Sequence, residues 1–119
     1  MNIIISSYKN IAFAEIKSDK IEIREIQDAL EFIVNANYQG SDILIARKEN
    51  FTDDFFDLKT TLAGEILQKF SNYRTKLAII GDFSNVGSKS FKDFIYESNK
   101  KKQTVFVSNL EEALNLLIN

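Results

Sequence analysis

Polar and charged residues follow the apolar runs at 42–46 and 76–80, where an α/β domain normally binds its ligands. Asp82 could act as a base or a metal ligand, and Ser84, two residues later, could orient a substrate. Arg47 and Lys89 could clamp an anion, and Phe83 lies between the carboxylate and the hydroxyl. These residues predict one possible function, a small-ligand or anion-binding protein or an enzyme.

A second group of residues precedes the apolar stretch 62–67. Asp57, Thr60 and Thr61 lie where a helix is expected to begin, and Asp57 or Thr60 could be its N-cap. The group predicts a different function, a non-enzymatic regulatory or interaction module that presents this turn and the 82–84 loop to a protein partner.

The absence of two residue types from the sequence favours one of these two functions over the other. The 119 residues contain no His and no Cys, which excludes a Ser-His-Asp triad, a Cys-His dyad, thiol redox chemistry and an ordinary zinc site. We therefore predict no catalytic residue, metal ligand or cofactor, and favour the interaction module over an enzyme.

Two further clusters each have two interpretations. Asp53, Asp54 and Asp57 could hold Mg²⁺ or could complement the positive end of the following helix. The neighbouring Phe51, Phe55 and Phe56 could fill the core or form a docking patch.

The loop 81–90, GDFSNVGSKS, follows an apolar run and ends in Gly-Ser-Lys-Ser. Five residues separate Gly81 from Gly87, and Ser88 intervenes before Lys89, so the spacing is not that of a phosphate-binding Walker A loop. Simple anion binding at the start of the following helix remains open.

The net charge and the composition of the first ten residues argue against two classes of partner, nucleic acids and membranes. Fifteen basic and seventeen acidic residues give a net charge of -2, which argues against a nucleic-acid binder. Residues 1–10 contain neither a basic leader nor an apolar run long enough to span a membrane, so we expect a cytoplasmic protein with no membrane contact. A homodimer is possible through 51–56 or 91–96.

The apolar spacing predicts a single α/β domain over 1–119, with a mixed sheet of about five strands and about four helices. Ser108 and Glu111 predict a capping box at the last helix. The predicted strands are 3–5, 11–16, 42–46, 76–80 and 104–107, with a further short strand at 21–23 that need not belong to the sheet, and the predicted helices are 25–38, 58–70, 89–99 and the segment after Ser108.

Four blocks of the sequence resemble a family of small bacterial proteins known as domain of unknown function 4180. They are FFDLKTTLAGEILQKF (55–70), LAIIGDFS (77–84), SKS (88–90) and DFIYESN (93–99). The likeness covers roughly 51–117, and it implies no activity.

The β-rich start, the later alternation and the ending SNLEEAL (108–114) are similar, more loosely, to STAS domains, the anti-sigma-factor antagonist class. That resemblance implies a phosphorylatable Ser or Thr at a helix N-terminus, where a kinase partner binds. Thr60 and Thr61 occupy a comparable place, although STAS proteins typically have an Asp-Ser pair beside Gly, whereas Lys59 precedes the threonines here.

Overall fold

The computed structural model describes residues 1–118 and contains a five-stranded sheet in the order β1-β2-β3-β4-β5. The predicted mixed α/β sheet with four α-helices is confirmed over these residues. The strands are β1 (Ile3–Tyr8), β2 (Ile11–Ile16), β3 (Ile43–Arg47), β4 (Lys76–Ile80) and β5 (Thr104–Val107), and the helices are α1 (Ile26–Tyr38), α2 (Leu62–Asn72), α3 (Lys89–Lys101) and α4 (Leu110–Leu117).

The sheet begins with an antiparallel hairpin and continues in parallel. Lys9 and Asn10 connect β1 to β2 with φ of 51° and 66°, the left-handed pair that a tight hairpin turn requires. Helices connect the later strands, so the carboxyl ends of β2 to β5 meet at one edge of the sheet. We call it the strand-end edge.

The two faces of the sheet have separate cores. Helices α1, α2 and α3 cover one face, where Phe32, Phe70 and Phe91 are fully buried against the strands. Helix α4 packs against the opposite face, on Ile45 and Val105 among others. The aromatic rings of the first face therefore set the spacing of the three helices above the strands.

The predicted strand at 21–23 is wrong. Ile23 forms only an isolated bridge to Phe51, and the side chain of Asn50 donates to the carbonyl groups of Ser18 and Lys20. The backbone carbonyl of Asn50 also accepts from the N–H groups of Glu22 and Ile23. Because one buried Asn binds these backbone groups, the segment is held without a partner strand.

The starts of two helices differ from their predictions. Leu58–Thr60 is a 3₁₀ turn, and α2 begins only at Leu62. Helix α4 is capped by Asn109, whose Oδ1 accepts from Glu112 N–H, while Glu112 Oε1 accepts from Ser108 N–H. The predicted capping box between Ser108 and Glu111 is therefore wrong: the cap is Asn109, one residue later, because its amide oxygen takes the capping role of the hydroxyl, and Glu112 reaches back to the residue before the cap.

No helix within residues 1–118 combines the length and the apolar composition needed to cross a membrane.

Candidate functional site

The two segments that the sequence predicted as a binding surface meet at the strand-end edge. The ring of Phe56, just before Asp57, lies 6.4 Å from the ring of Phe83, centroid to centroid. Phe83 in turn packs edge-on against Phe106 of β5, at 5.3 Å. The contact joins the turn before α2 to the loop after β4 in one surface. We call it the strand-end surface; its residues are Lys48, Phe56, Asp57, Thr60, Thr61, Asp82, Phe83 and Ser84.

Lys48 holds the loop after β4 in place. Its ammonium donates to the backbone carbonyl of Asp82 at 2.8 Å and lies 5.7 Å from the centre of the Phe83 ring. A Cβ on Gly81 would lie only 2.7 Å from Lys48 Cβ, so the lysine stem rests directly on the glycine backbone. Because Gly81 has no side chain, the side chain of Lys48 can lie across the loop and fill the space beside β4.

Asp82 and Ser84 form a local turn on the exposed part of this surface. The Ser84 hydroxyl and backbone N–H both donate to Asp82 Oδ1, at 2.7 and 3.0 Å. These hydrogen bonds, the hydroxyl first, lower the pKa of Asp82, and the charge of Lys48 adds to the effect. Asp82 is therefore a charged acceptor at neutral pH, not a base with a raised pKa.

Asp57 and Thr60 are engaged within the turn before α2. Asp57 Oδ1 accepts from Lys59 N–H at 3.0 Å and so caps the 3₁₀ turn rather than α2. Thr60 Oγ1 lies 2.6 Å from the carbonyl of Asp54 and 2.8 Å from that of Asp57. Both residues shape the turn, and the Thr60 hydroxyl is the less available of the two predicted threonines.

Thr61 is the exposed residue at the start of α2. Its φ of 63° lies in the left-handed region, which a β-branched side chain rarely adopts. Its hydroxyl donates to the carbonyl of Thr60 at 2.6 Å and makes no capping bond to the helix. The residue thus places an accessible hydroxyl directly before the N–H groups of the first turn of α2.

Arg47 points away from this surface. Its guanidinium Nη2 lies 2.7 Å from Glu15 Oε2, on the sheet face that α4 covers, and the Glu15 side chain is only 5% exposed. Glu15 is not among the site residues predicted from the sequence. The sequence does contain a signal for such a pair, since Glu15 is an acidic residue inside the apolar run 11–16. A buried charge in a protein needs a partner of opposite sign.

Lys89 is also separate from the predicted anion clamp. Its ammonium lies 3.1 Å from Asp93 Oδ2 on the exposed side of α3. Arg47 and Lys89 therefore lie on opposite sides of the sheet, each beside a carboxylate, and do not converge on Asp82. The structure does not assemble the four-residue anion or substrate site of the ligand-binding interpretation.

The aromatic and acidic clusters have mainly structural roles. Phe51 and Phe55 are buried in the core, and only Phe56 remains partly exposed. Within residues 1–118, no group of three or more acidic side chains that could hold a metal ion is present, and Asp53 and Asp54 both lie at exposed positions. Of the two predicted aromatic patches, 51–56 contributes Phe56 to the strand-end surface, whereas Tyr96 is the exposed aromatic of 91–96.

Comparison with known proteins places the chain in a family. The family model described as Domain of unknown function (DUF4180) matches residues 8–117, so the likeness begins well before residue 51, where the sequence analysis placed its start. No curated protein and no solved structure matches the chain. Because the match covers nearly the whole fold and all eight predicted site residues, the chain belongs to the DUF4180 family.

Proposed function

We propose that this protein is a non-enzymatic regulatory module that binds a protein partner through the strand-end surface, and that Thr61 is its phosphorylation switch. The observation that carries the proposal is the contact between Phe56 and Phe83, which joins the Thr61 turn and the Asp82 loop. A partner contacting one segment would therefore contact the other. As in STAS domains, phosphorylation would control the binding of the partner, and the protein would act in the cytoplasm.

Thr61 suits a switch because of its exposure and its position. A phosphate carries about two negative charges and is stabilised by free N–H groups at a helix N-terminus. Thr61 lies at that position on α2, a helix of 11 residues, and Lys59 is close in sequence. Phosphorylation would add charge close to Asp57 without disturbing the core, because Thr61 is exposed and its hydroxyl bonds to the carbonyl of Thr60.

The chemistry of the surface favours a protein over a small molecule. Phe83 and Phe56 give a partly exposed aromatic centre, and Lys48, Asp82 and Ser84 surround it with polar groups. An aromatic centre within a polar rim is the usual composition of a protein interface. The side chain of Lys48 lies against Gly81 and donates to the carbonyl of Asp82, so it covers part of this loop.

The test is affinity purification of the tagged chain from its native cells, with phosphosite mapping of the bait. The wild type is compared with Thr61→Glu, which mimics the charge, Thr61→Val, which removes the hydroxyl, and Asp82→Asn, which can keep the local turn. We expect phosphate on Thr61, one specific co-purifying protein, and a change in its recovery of fivefold or more with Thr61→Glu.

Gln27→Glu is the matched control, because it adds the same charge to an exposed position in the first turn of α1. It should leave recovery unchanged. The switch is refuted if Thr61→Glu recovers every partner as the wild type does, and the interaction surface is refuted if Asp82→Asn and Thr61→Glu both leave the partner bound.

A further inference from the structure

A crevice separates α2 from α3 on the helical face of the sheet, away from the residues of the strand-end surface. Its volume is about 480 Å³, within the usual range for small-molecule sites. Leu67 of α2 and Phe94 of α3 supply apolar walls, and both are only partly buried by the core. The start of β5 forms one end of the crevice. The residues that matter here are Gly64, Leu67, Phe94, Lys101 and Thr104.

Thr104 at this end carries a buried hydroxyl without a partner. The residue is 2% exposed, and no group among residues 1–118 makes a hydrogen bond to its Oγ1. Its side chain lies on the same sheet face as Phe106, which is the face that α2 and α3 cover. Buried polar groups in proteins are nearly always paired, so this hydroxyl is a donor left over for a group that enters the crevice.

Gly64 keeps the wall of the crevice open. It lies in the first turns of α2, where glycine is less favourable than alanine, and a Cβ built on it meets nothing within 4 Å. The fold therefore has room for a side chain at position 64, and close packing does not explain why a glycine is there. An occupant of the crevice would require that space.

Lys101 is the cationic residue in the lining of the crevice, and Glu97 is the acidic one. Among residues 1–118, Lys101 has no acidic partner at salt-bridge distance, whereas the neighbouring Lys100 lies 3.8 Å from Glu97. Lys101 also complements the negative end of the α3 dipole, but its ammonium keeps donors available to solvent. An ammonium and an unpaired hydroxyl at one end favour an anionic acceptor.

We infer that the crevice binds a small monocarboxylate with an apolar body. The body packs between Leu67 and Phe94, and the carboxylate accepts from the Lys101 ammonium and the Thr104 hydroxyl. This site is independent of the proposed protein interface, because none of its residues belongs to the strand-end surface.

The test is a titration of the ¹⁵N-labelled full chain, followed by amide chemical shifts. The probes are octanoate and 4-phenylbutyrate, and octan-1-ol is the uncharged comparison. We expect saturable shifts that are largest at Gly64, Leu67, Phe94 and Thr104, with octanoate binding about twofold to fivefold more tightly than octan-1-ol, as for a partly exposed ion pair.

Three variants with controls assign the site. Gly64→Leu should block both carboxylates, whereas Gly87→Leu, which also adds a side chain into open space, should bind normally. Lys101→Gln should weaken the binding of octanoate to the level of octan-1-ol. Lys92→Gln, which changes an exposed residue of α3, should leave the binding of octanoate unchanged. Thr104→Val should weaken octanoate while the fold stays intact.

Several results would overturn the inference. Absence of shifts at millimolar probe, or shifts spread over the whole surface, would refute the site. Equal binding of octanoate and octan-1-ol, or unchanged binding by Lys101→Gln, would refute the carboxylate. Normal binding by a folded Gly64→Leu protein would place the probe elsewhere.

Discussion

The guanidinium of Arg47 lies 2.7 Å from the carboxylate of Glu15, at the carboxyl ends of two neighbouring strands. The pair lies on the face that α4 covers, whereas the predicted partners of Arg47 lie in the loop after β4. The side chain of Glu15 is nearly buried and that of Arg47 is 31% exposed, so the arginine shields the carboxylate from solvent. Arg47 therefore stabilises a buried charge and is not part of the strand-end surface.

Removal of one partner of this pair should destabilise the fold. We expect Arg47→Met to lower the free energy of unfolding by about 1–3 kcal/mol, because it leaves Glu15 with only Lys17, at 3.5 Å, as a cation. The double variant Glu15→Leu with Arg47→Met should recover most of the loss, since apolar pairs often replace buried ion pairs without cost. Urea denaturation measures both, and a double variant less stable than Arg47→Met would contradict the explanation.

The backbone at Thr61 should be strained in a measurable way. Thr61→Gly should raise the free energy of unfolding by about 0.5–1 kcal/mol, because glycine adopts a φ of 63° without a steric penalty. Thr52→Gly is the control, since Thr52 has an ordinary φ of -61° and should lose stability. Thermal unfolding compares the two; a loss of stability in both would show that Thr61 is not strained.

The unpaired hydroxyl of Thr104 should cost stability in the absence of ligand. Thr104→Val keeps the shape of the side chain and removes the buried hydroxyl, so we expect a gain of about 1 kcal/mol. Thr75 is equally buried, but its hydroxyl donates to the carbonyl of Tyr73 at 3.1 Å, so Thr75→Val should lose about 1 kcal/mol. Chemical denaturation should give changes in the free energy of unfolding of opposite sign for the two variants. An equal loss of stability in both would mean that the Thr104 hydroxyl is paired in solution.

Asp82 should titrate below the ordinary range of an aspartate. Its pKa is lowered from 3.8 chiefly by the Ser84 hydroxyl, so Ser84→Ala should raise the pKa of Asp82 toward that value. Because the folded-state pKa is the lower one, the associated stabilisation is present above pH 3.8 and is lost as the pH falls through the folded-state value. Carboxyl carbon shifts followed by NMR measure the titration, and an unchanged pKa in Ser84→Ala would contradict the hydrogen-bond assignment.

Most of the secondary structure could be predicted because its signals are local. The apolar runs at 76–80 and 104–107 and the helical period through Phe91 and Ile95 are properties of short segments. The segment 21–23 has the same local signal as a strand, but Asn50, far along the chain, binds its backbone groups. The error arose because strand pairing depends on which backbone groups are already bound.

The sequence could point to the segments of the candidate site but not to their geometry. The turn at Thr61 and the loop at Asp82 were found from their places before a helix and after a strand. Their contact depends on the packing of Phe56 against Phe83. The separation of Arg47 from Lys89 depends on which face of the sheet each side chain occupies.

The sequence by itself determined the α/β fold class, the absence of His and Cys chemistry, and the segments that can carry a site. Tertiary structure alone decided that Arg47 pairs with Glu15, that Phe56 contacts Phe83, and that the hydroxyl of Thr104 is buried without a partner beside the α2–α3 crevice. The physical reason is that composition and periodicity act within a segment, whereas these three relationships join segments whose distance and facing are set only when the helices pack on the sheet.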